Sequence, residues 1–388
     1  MGSFDFDSLT EVELRARKTV KWNWYKPDVL PLWVAEMDFP TAPAVMDAIR
    51  EAVQTENFGY PAFGDPELGQ VTAEWCASRY GWSVNPGFIH DVPDVLDGLR
   101  LGIEEFTVPG SPVILPTPAY PPFYDVIRLS GRQAIEIPLV EVDGVSTLDF
   151  QRIDEAFSAG AGSIILCNPH NPAGRAFTQQ ELTTLSTIVE RHGKRVLADE
   201  IHAPLVFGRK HIPYASVSAA AAQHTITLTA ASKAWNLAGL KCAQIILTNE
   251  EDEKTWSELS LVQTMGASTI GIAASIAAYR HGGPWLDEAM AYLEGNRALL
   301  KERLERDLPG ARLIFPEATY MAWIDFSGLH LPQAPYNHFL DAAHVALKEG
   351  AEFGPGYEGF ARINFATTRK ILVQALDAMV QAVPATTA

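Results

Sequence analysis

The sequence predicts an α/β protein with a large domain built on a mostly parallel central sheet, followed by a smaller α+β domain. From residue 112 onward, short apolar runs alternate with helical patterns, which is typical of a parallel sheet with helices on both faces. The pattern breaks at residues 282–284, where two glycines precede a proline, and a long helical pattern follows. We therefore expect three segments: an N-terminal arm at 1–40 that packs on the small domain or on a partner, a large domain at 41–284 and a small C-terminal domain at 285–388.

The strands of the large domain are expected at six apolar runs, which are PVILP (112–116), AIEIPL (134–139), SIILC (163–167), RVLAD (195–199), TITLT (225–229) and CAQIILT (242–248). One intervening helix begins with Thr178 and has Glu181 three positions later, a capping box in which both side chains satisfy free backbone N–H groups. In the small domain we expect a strand pair at 311–318 and 320–326, a helix that ends near Gly350, a strand at 360–366 and a terminal helix.

Composition narrows the classes of function. The chain has 388 residues, 47% of them hydrophobic, and 30 basic against 47 acidic side chains give a formal net charge of −17. That charge has the wrong sign for nucleic-acid phosphates or an anionic membrane, so we expect neither partner. The three cysteines lie far apart, which indicates no disulfide framework and no metal site. Without a secretion signal or an apolar stretch that could span a bilayer, we expect a soluble, cytoplasmic protein.

Polar side chains follow several predicted strands, at the edge where open parallel sheets bind ligands. In chain order they are Tyr120, Asn171, Asp199, His202 and Lys233. Each has a structural alternative. Lys233 could keep its ammonium in water, Tyr120 could pack, and His202 could be a hydrogen-bonded core histidine, while Asn171 and Asp199 could cap a turn or a helix.

Together, an aromatic ring, an amide, a carboxylate and a lysine in this order match the needs of one aromatic aldehyde cofactor. Pyridoxal phosphate (PLP) needs a Schiff-base lysine, a carboxylate that keeps its ring nitrogen protonated, a donor to its phenolate oxygen and an aromatic ring on its face. Its phosphate fits the free N–H groups of Val95 and Leu96 at a helix start. Ser232 and Lys241 can add a hydroxyl and a charge, although Lys241 could instead be a solvated surface lysine.

Arg362 stands inside an apolar strand pattern near the C-terminus, where an unpaired guanidinium would be costly. A guanidinium that binds a carboxylate justifies this position, and an amino-acid substrate carries one. An internal salt bridge is the alternative.

Over essentially its whole length, the chain resembles the aspartate-aminotransferase-like, fold type I PLP enzymes. Within that superfamily it is similar to the bacterial cystathionine β-lyases, which include the maltose-regulon modulator, and above all to their actinobacterial members. Seven ordered motifs carry the resemblance: LPLWVAEMDF, FGYP, PAYPPF, CNPHNPAGR, ADEIHAPL, SKAWNLAGLKCAQ and ARINFA.

The resemblance implies roles for individual residues. Lys233 and Tyr120 would be the catalytic residues, with Lys233 bound to the cofactor aldehyde and Tyr120 against the ring face. Asp199 would hold the ring nitrogen and Asn171 the phenolate oxygen. Arg362 would bind the substrate α-carboxylate. His202 is also expected to contact the cofactor.

A homodimer with shared active sites is also implied, because Tyr60 would reach the cofactor phosphate of the partner subunit. The sequence departs from its relatives at four positions. Glu36 replaces a common aspartate, Ala173 a common threonine, Ala230 a serine that binds phosphate in many aminotransferases, and Lys241 an arginine. These departures concern the phosphate contacts and the substrate side of the pocket, not the choice of cofactor.

The expected reaction is β-elimination at a carbon–sulfur bond. L-Cystathionine or a related cysteine S-conjugate would yield a thiol (homocysteine), pyruvate and ammonia. An aminotransferase shares the residues named above and is the first alternative. A weaker alternative is an additional regulatory binding role, since the maltose-regulon relative also binds a transcription activator.

Overall fold

The computed structural model describes residues 4–61 and 65–384. The chain divides into two compact units. The large unit comprises Thr41–His170 and Arg175–Pro284, and the small unit comprises Met1–Pro40, Asn171–Gly174 and Trp285–Ala388. The short segment Asn171–Gly174 thus belongs to the small unit although the large unit surrounds it in the sequence.

The helices, numbered in chain order, are α1 (Glu11–Ala16), α2 (Val20–Asn23), α3 (Pro43–Gln54), α4 (Pro66–Tyr80), α5 (Val95–Phe106), α6 (Pro122–Leu129), α7 (Phe150–Ser158), α8 (Gln179–His192), α9 (Ala219–His224), α10 (Glu250–Ser257), α11 (Leu261–Thr264), α12 (Thr269–His281), α13 (Gly283–Asp307), α14 (Pro335–Ala343) and α15 (Arg369–Ala382). In the described part of the chain, none of them combines the length and the apolar character needed to cross a membrane.

The strands are β1 (Leu30–Pro31), β2 (Ile89–Val92), β3 (Val113–Thr117), β4 (Ala134–Pro138), β5 (Val140–Val142), β6 (Val145–Thr147), β7 (Ser163–Cys167), β8 (Arg195–Asp199), β9 (Thr225–Thr229), β10 (Ala243–Ile246), β11 (Arg312–Ile314), β12 (Met321–Asp325), β13 (Val345–Ala346), β14 (Lys348–Glu349) and β15 (Phe360–Asn364).

The large unit contains a seven-stranded sheet in the order β2-β10-β9-β8-β7-β3-β4. The pairs formed by β4, β3, β7, β8 and β9 are parallel, whereas β10 runs antiparallel to β9 and to β2. The predicted mostly parallel sheet is therefore confirmed. The edge strand β2 was not predicted, because its sequence IHDV places two polar residues in a run of four and lacks the apolar character of the central strands.

Neighbouring residues of β3 and of β7 pack into different cores. Leu115 and Ile165 belong to a cluster with α5 and α6, whereas Ile114 and Ile164 belong to a cluster with α7 and α8. Successive side chains of a strand point to opposite faces, so the sheet buries apolar residues on both sides. The carboxyl ends of its parallel strands are thereby fixed by two cores.

The start of α8 confirms the capping box. The hydroxyl of Thr178 accepts from the N–H of Glu181, and the Glu181 carboxylate accepts from the N–H of Thr178 at 2.7 Å. Arg175 also donates two hydrogen bonds to Glu181, at 2.9 and 3.0 Å.

The small unit contains a four-stranded antiparallel sheet in the order β11-β12-β15-β14 and a parallel pair of β1 with β13. The predicted strand pair and the strand at 360–366 are present as β11, β12 and β15. The predicted end of one helix near Gly350 was wrong, because this helix, α14, already ends at Ala343. His344 then takes a left-handed conformation with φ 54°, which ends the helix, and the following residues form β13 and β14 instead.

Candidate active site

The carboxyl ends of β8 and β9 carry the two central residues of the predicted site. Asp199 is the last residue of β8 and pairs in register with Cys167 of β7 and Leu228 of β9. Lys233 lies in the turn that follows β9 and is partly buried. The charge of Lys233 acts on Asp199, so the large unit brings together the predicted carboxylate and the predicted lysine.

The carboxylate of Asp199 is only 5% exposed. Burial raises its pKa to about 7, while the N–H of Ile201, 3.0 Å from Oδ1, and the charge of Lys233 act in the opposite direction. A buried carboxylate with a raised pKa favours a cationic hydrogen-bond donor, because such a donor stabilises its ionised form. Asp199 is therefore suited to hold a positively charged group.

The turn that carries Lys233 is anchored by Trp235. This tryptophan is fully buried, with edge-on ring contacts to Trp75 at 5.1 Å and Tyr279 at 5.6 Å. Its Nε1–H donates to the carbonyl of Gly282 at 3.0 Å. Since Trp235 is two residues from Lys233, the backbone beneath the lysine is fixed by core packing.

Three of the predicted phosphate contacts, Val95, Leu96 and Lys241, lie at or beside the start of α5. Asp94 caps this helix, and its Oδ1 accepts from the N–H of Asp97 at 3.0 Å. The first two helical residues are Val95 and Leu96. Lys241 places Nζ 2.5 Å from Oδ2 of Asp94, so the lysine predicted for the phosphate lies beside the helix start predicted for it.

The alternative that Lys241 is a solvated surface lysine is only partly correct, because Lys241 is paired with Asp94. The side chain of Lys241 is 57% exposed, as a solvated lysine would be, yet its ammonium is paired. The hydrogen bond with Asp94 raises the pKa of Lys241. Burial alone would raise the pKa of Asp94, but the hydrogen bonds from Lys241 and the N–H of Asp97 outweigh burial and lower it.

Three further predicted residues of the large unit lie in different surroundings. Tyr120 follows β3, is partly buried and contacts the Phe123 ring edge-on at 5.5 Å. His202 is buried in the turn after β8. Tyr60 is 85% exposed, on a loop that Thr269 ties down through a 2.6 Å hydrogen bond to the carbonyl of Gly59.

The small unit holds the other two predicted residues in direct contact. Arg362, on β15, is 3% exposed. It donates from Nη1 to Oδ1 of Asn171 at 3.0 Å and from Nη2 to the carbonyl of Trp33 at 2.9 Å, and it lies 5.2 Å from the ring centre of Phe353. These three contacts hold the guanidinium in place.

Sequence reasoning missed two of these contacts. The carbonyl of Trp33 carries no residue-type signal, because any residue offers the same oxygen. Asp94 directly precedes the predicted helix start at Val95, a position where an aspartate is recognisable from the sequence as an N-cap. Within the described residues, no group of three or more His, Cys, Asp or Glu side chains could hold a metal ion.

Comparison with known proteins identifies the family. The model of the family "Aminotransferase class I and II" matches residues 27–379. Cystathionine β-lyase of Corynebacterium glutamicum is 43% identical over 94% of this chain and 96% of its own length.

Solved structures agree with this match. A candidate PLP-dependent β-cystathionase from Corynebacterium diphtheriae has a TM-score of 0.94 at 46% identity, covering 98% of this chain and 99% of that one. The PLP-bound C–S lyase from Staphylococcus hominis has a TM-score of 0.92 at 28% identity, covering 99% of this chain and 100% of that one. The family match, the relatives and the predicted aminotransferase-like fold coincide: this chain belongs to the aminotransferase class I and II family.

Proposed function

We propose that the protein is a PLP-dependent carbon–sulfur β-lyase that cleaves L-cystathionine or a related cysteine S-conjugate. The observation that carries the proposal is the buried carboxylate of Asp199 at the end of β8 within electrostatic reach of Lys233 after β9. The similarity to relatives that are named cystathionine β-lyase and C–S lyase supports the same reaction class.

The residues of the large unit fit PLP. Asp199 offers a buried carboxylate whose raised pKa calls for a cationic partner, and the protonated pyridine nitrogen of PLP is such a partner. Lys233 offers the amine that binds the aldehyde, and Tyr120 offers a ring for its face. Ser232, Lys241 and the N–H groups of Val95 and Leu96 offer a hydroxyl, a charge and a helix N-terminus for the phosphate.

The remaining proposed contacts follow from residue chemistry. Asn171 accepts from Arg362 through Oδ1, so its Nδ2 is left to donate to the phenolate oxygen. His202 is proposed as a further contact of the cofactor, and Tyr60 of the partner subunit as a further contact of its phosphate. Arg362 is held in place by Asn171 and the carbonyl of Trp33, and its guanidinium would bind the α-carboxylate of the substrate.

Bound PLP supplies the electron sink that makes the Cα proton of an amino acid removable. Lys233 would hold the aldehyde of PLP in the resting enzyme, and its amine would take the Cα proton of the substrate as a general base. Asp199 keeps the proton at the ring nitrogen in place, and Arg362 fixes the orientation of the substrate. Loss of the Cα–H and Cβ–S bonds, with addition of one water molecule, converts cystathionine to homocysteine, pyruvate and ammonia.

A substrate panel tests the reaction. The purified holoenzyme is incubated with cystathionine, cystine and S-alkylcysteines, and pyruvate and thiol are measured together. We expect equal amounts of both products from at least one thioether. Lys233→Ala should abolish both, whereas Lys210→Ala, at an exposed lysine of the same unit, should keep them.

Aminotransferase activity is the competing outcome of the same panel. If no thioether yields pyruvate and thiol, while an amino acid and a keto acid exchange their amino group, the lyase proposal is wrong and transamination replaces it. Loss of activity in Lys233→Ala would then still support the role of the lysine, because both reactions need it.

We further propose a homodimer in the cytoplasm. The strongly exposed Tyr60 supports a contact with a second copy, and the three buried cysteines, which form no disulfide, fit a reducing compartment. Mixing a Tyr60→Ala protein with a Lys233→Ala protein should restore part of the activity, because hybrid dimers would contain one site with both native residues. No recovery with two well-folded proteins that exchange subunits would contradict the shared site.

A further inference from the structure

A buried, hydrogen-bonded carboxylate and imidazole lie next to Asp199 and have no part in the reaction described above. Glu200 follows Asp199 directly in the sequence, and its Oε2 lies 2.9 Å from Nε2 of His211. Its Oε1 accepts from the N–H of Tyr214 at 2.7 Å. Glu200 and His211 are each 3% exposed. A carboxylate and an imidazole this deeply buried interact strongly with the charges around them.

Two titratable groups near this pair, Cys76 and Tyr80, are neutral at neutral pH. Cys76 and Tyr80 of α4 face it, with the Tyr80 ring 5.3 Å from the His211 ring. Burial raises the pKa of Cys76 to about 12 and that of Tyr80 well above its ordinary value, and the charge of Glu200 adds to both effects. Among the charges that act on Asp199 are those of Lys233 and Glu200.

The charge of Glu200 acts directly on Asp199. It raises the pKa of Asp199, in addition to the effect of burial. When a cationic ring nitrogen shares a proton with Asp199, a negative charge that is closer to Asp199 than to the nitrogen moves that proton toward the carboxylate. The hydrogen bond from Nε2 of His211 opposes this effect, because it draws the negative charge of the Glu200 carboxylate toward the imidazole.

We propose that His211 is a positioning residue for the cofactor: its hydrogen bond holds Glu200 and offsets the negative charge that Glu200 exerts on Asp199, and it thereby keeps the proton shared by Asp199 and the ring nitrogen of PLP on the nitrogen. The inference rests on the proposed function, since it needs a PLP ring at Asp199. It explains why a glutamate is tolerated in a buried position beside the carboxylate that must stay ionised.

The test measures the protonation state of the PLP ring nitrogen directly. Apoenzyme is reconstituted with PLP carrying ¹⁵N in the ring, and the ¹⁵N chemical shift of the holoenzyme reports the protonation of that nitrogen. We expect a protonated nitrogen in the native protein. In His211→Gln the ratio of protonated to unprotonated nitrogen should fall about tenfold, equivalent to one pKa unit.

Removing the charge of Glu200 should not lower the protonation of the ring nitrogen. Glu200→Gln should leave the nitrogen protonated, and the double variant Glu200→Gln/His211→Gln should return the signal of His211→Gln to the native position. A merely structural role predicts a double variant that is at least as damaged as the single one. If His211→Gln fails to fold, the double variant, which buries no unpaired charge, decides the question against Glu200→Gln alone.

His224→Gln is the matched control. His224 is also buried in the large unit and hydrogen-bonded, to the hydroxyl of Tyr214 at 2.9 Å, but burial lowers its pKa to about 4, so it contributes no charge at neutral pH. Its replacement should leave the ¹⁵N signal unchanged.

An unprotonated nitrogen in the native holoenzyme, an unchanged signal in His211→Gln, or no recovery in the double variant would overturn the inference. Failure of the native protein to bind PLP would overturn the proposed function instead.

Discussion

Arg362 and Asn171, 191 positions apart in the sequence, are joined by a 3.0 Å hydrogen bond from Nη1 to Oδ1. The bond fixes which end of the Asn171 amide is an acceptor, so the orientation of Nδ2 is set by the arginine. A residue proposed for the cofactor and a residue proposed for the substrate therefore share one fixed geometry.

Asn171→Ala should remove this geometry. Arg362 would lose a buried hydrogen-bond acceptor, which costs about 1–3 kcal/mol of stability, and a loosened guanidinium should raise the KM of the amino-acid substrate about tenfold, equivalent to roughly 1.4 kcal/mol. The measurements are thermal unfolding and steady-state kinetics.

Asn296→Ala is the control for this variant. Asn296 is buried in the same unit and donates to the carbonyls of Phe365 and Thr367. Its loss should lower stability by a similar amount without changing KM. Equal KM values in both variants and the native protein would show that Asn171 does not orient the arginine for substrate.

Because Asp94 and Lys241 are paired, we expect their substitutions to change PLP affinity in opposite directions. Lys241→Gln should weaken binding about tenfold, because one charge near the phosphate is lost. Asp94→Asn should strengthen it, since asparagine caps helices as well as aspartate does while the ammonium of Lys241 is no longer neutralised. Spectroscopic titration of the apoenzyme measures both dissociation constants, and a shift in the same direction for both variants would contradict a phosphate role for Lys241.

Because of Asp199, we expect the stability of the apoprotein to depend on pH. Its folded pKa of about 7 lies above its ordinary value of 3.8, so between these two values the unfolded chain loses its proton while the folded chain keeps it. The free energy of unfolding should therefore fall as pH rises from about 4 to 7, and this loss should level off above the folded pKa.

Asp199→Asn serves as the reference, because it mimics the protonated acid. The difference in Tm between Asp199→Asn and the native apoprotein should grow with pH up to about 7, and saturation with PLP should reverse it by supplying a cationic partner. A difference that stays constant with pH, in the absence of PLP, would show that Asp199 is not destabilised as a buried carboxylate.

From the packing of Trp235 we expect activity to depend on the core beneath the turn that carries Lys233. Trp235→Phe keeps a ring near Trp75 and Tyr279 but loses the hydrogen bond to Gly282, which leaves a buried carbonyl unsatisfied and costs about 1–3 kcal/mol. The kcat should fall, because the turn carrying Lys233 is less firmly held, and KM should change little. Trp256→Phe, at a tryptophan stacked on His90, controls for loss of an indole in the same unit.

The parts of the fold that could be predicted were those with a strong local signal. The central strands are apolar runs, and Thr178 with Glu181 forms a capping box that specifies a helix start in four residues. β2 and the end of α14 were missed because the signals there are weak. β2 is a polar edge strand, and α14 ends at a histidine in a left-handed conformation, a position where glycine is the usual signal.

The candidate site was predicted as a set of residues, but not as a set of contacts. Asp199 and Lys233 could be placed together because both follow parallel strands. The bonds of Arg362 to Asn171, of Lys241 to Asp94 and of Glu200 to His211 depend on how distant or irregular segments fold, and residue type alone does not encode these pairings. Glu200 was passed over because a carboxylate next to a predicted functional carboxylate gives no sign of its own partner.

The segment Asn171–Gly174 limits how the two units can be exchanged between homologous proteins. The chain passes between the two units at four points, not two, and the carbonyl of Gly174 accepts from the N–H groups of Glu317 and Ala318 in the small unit. A fragment of residues 41–284 would keep this segment but lose both donors and Arg362. Neither unit can therefore be exchanged between homologues by a single crossover, and chimaeras must carry Asn171–Gly174 together with the C-terminal part of the chain.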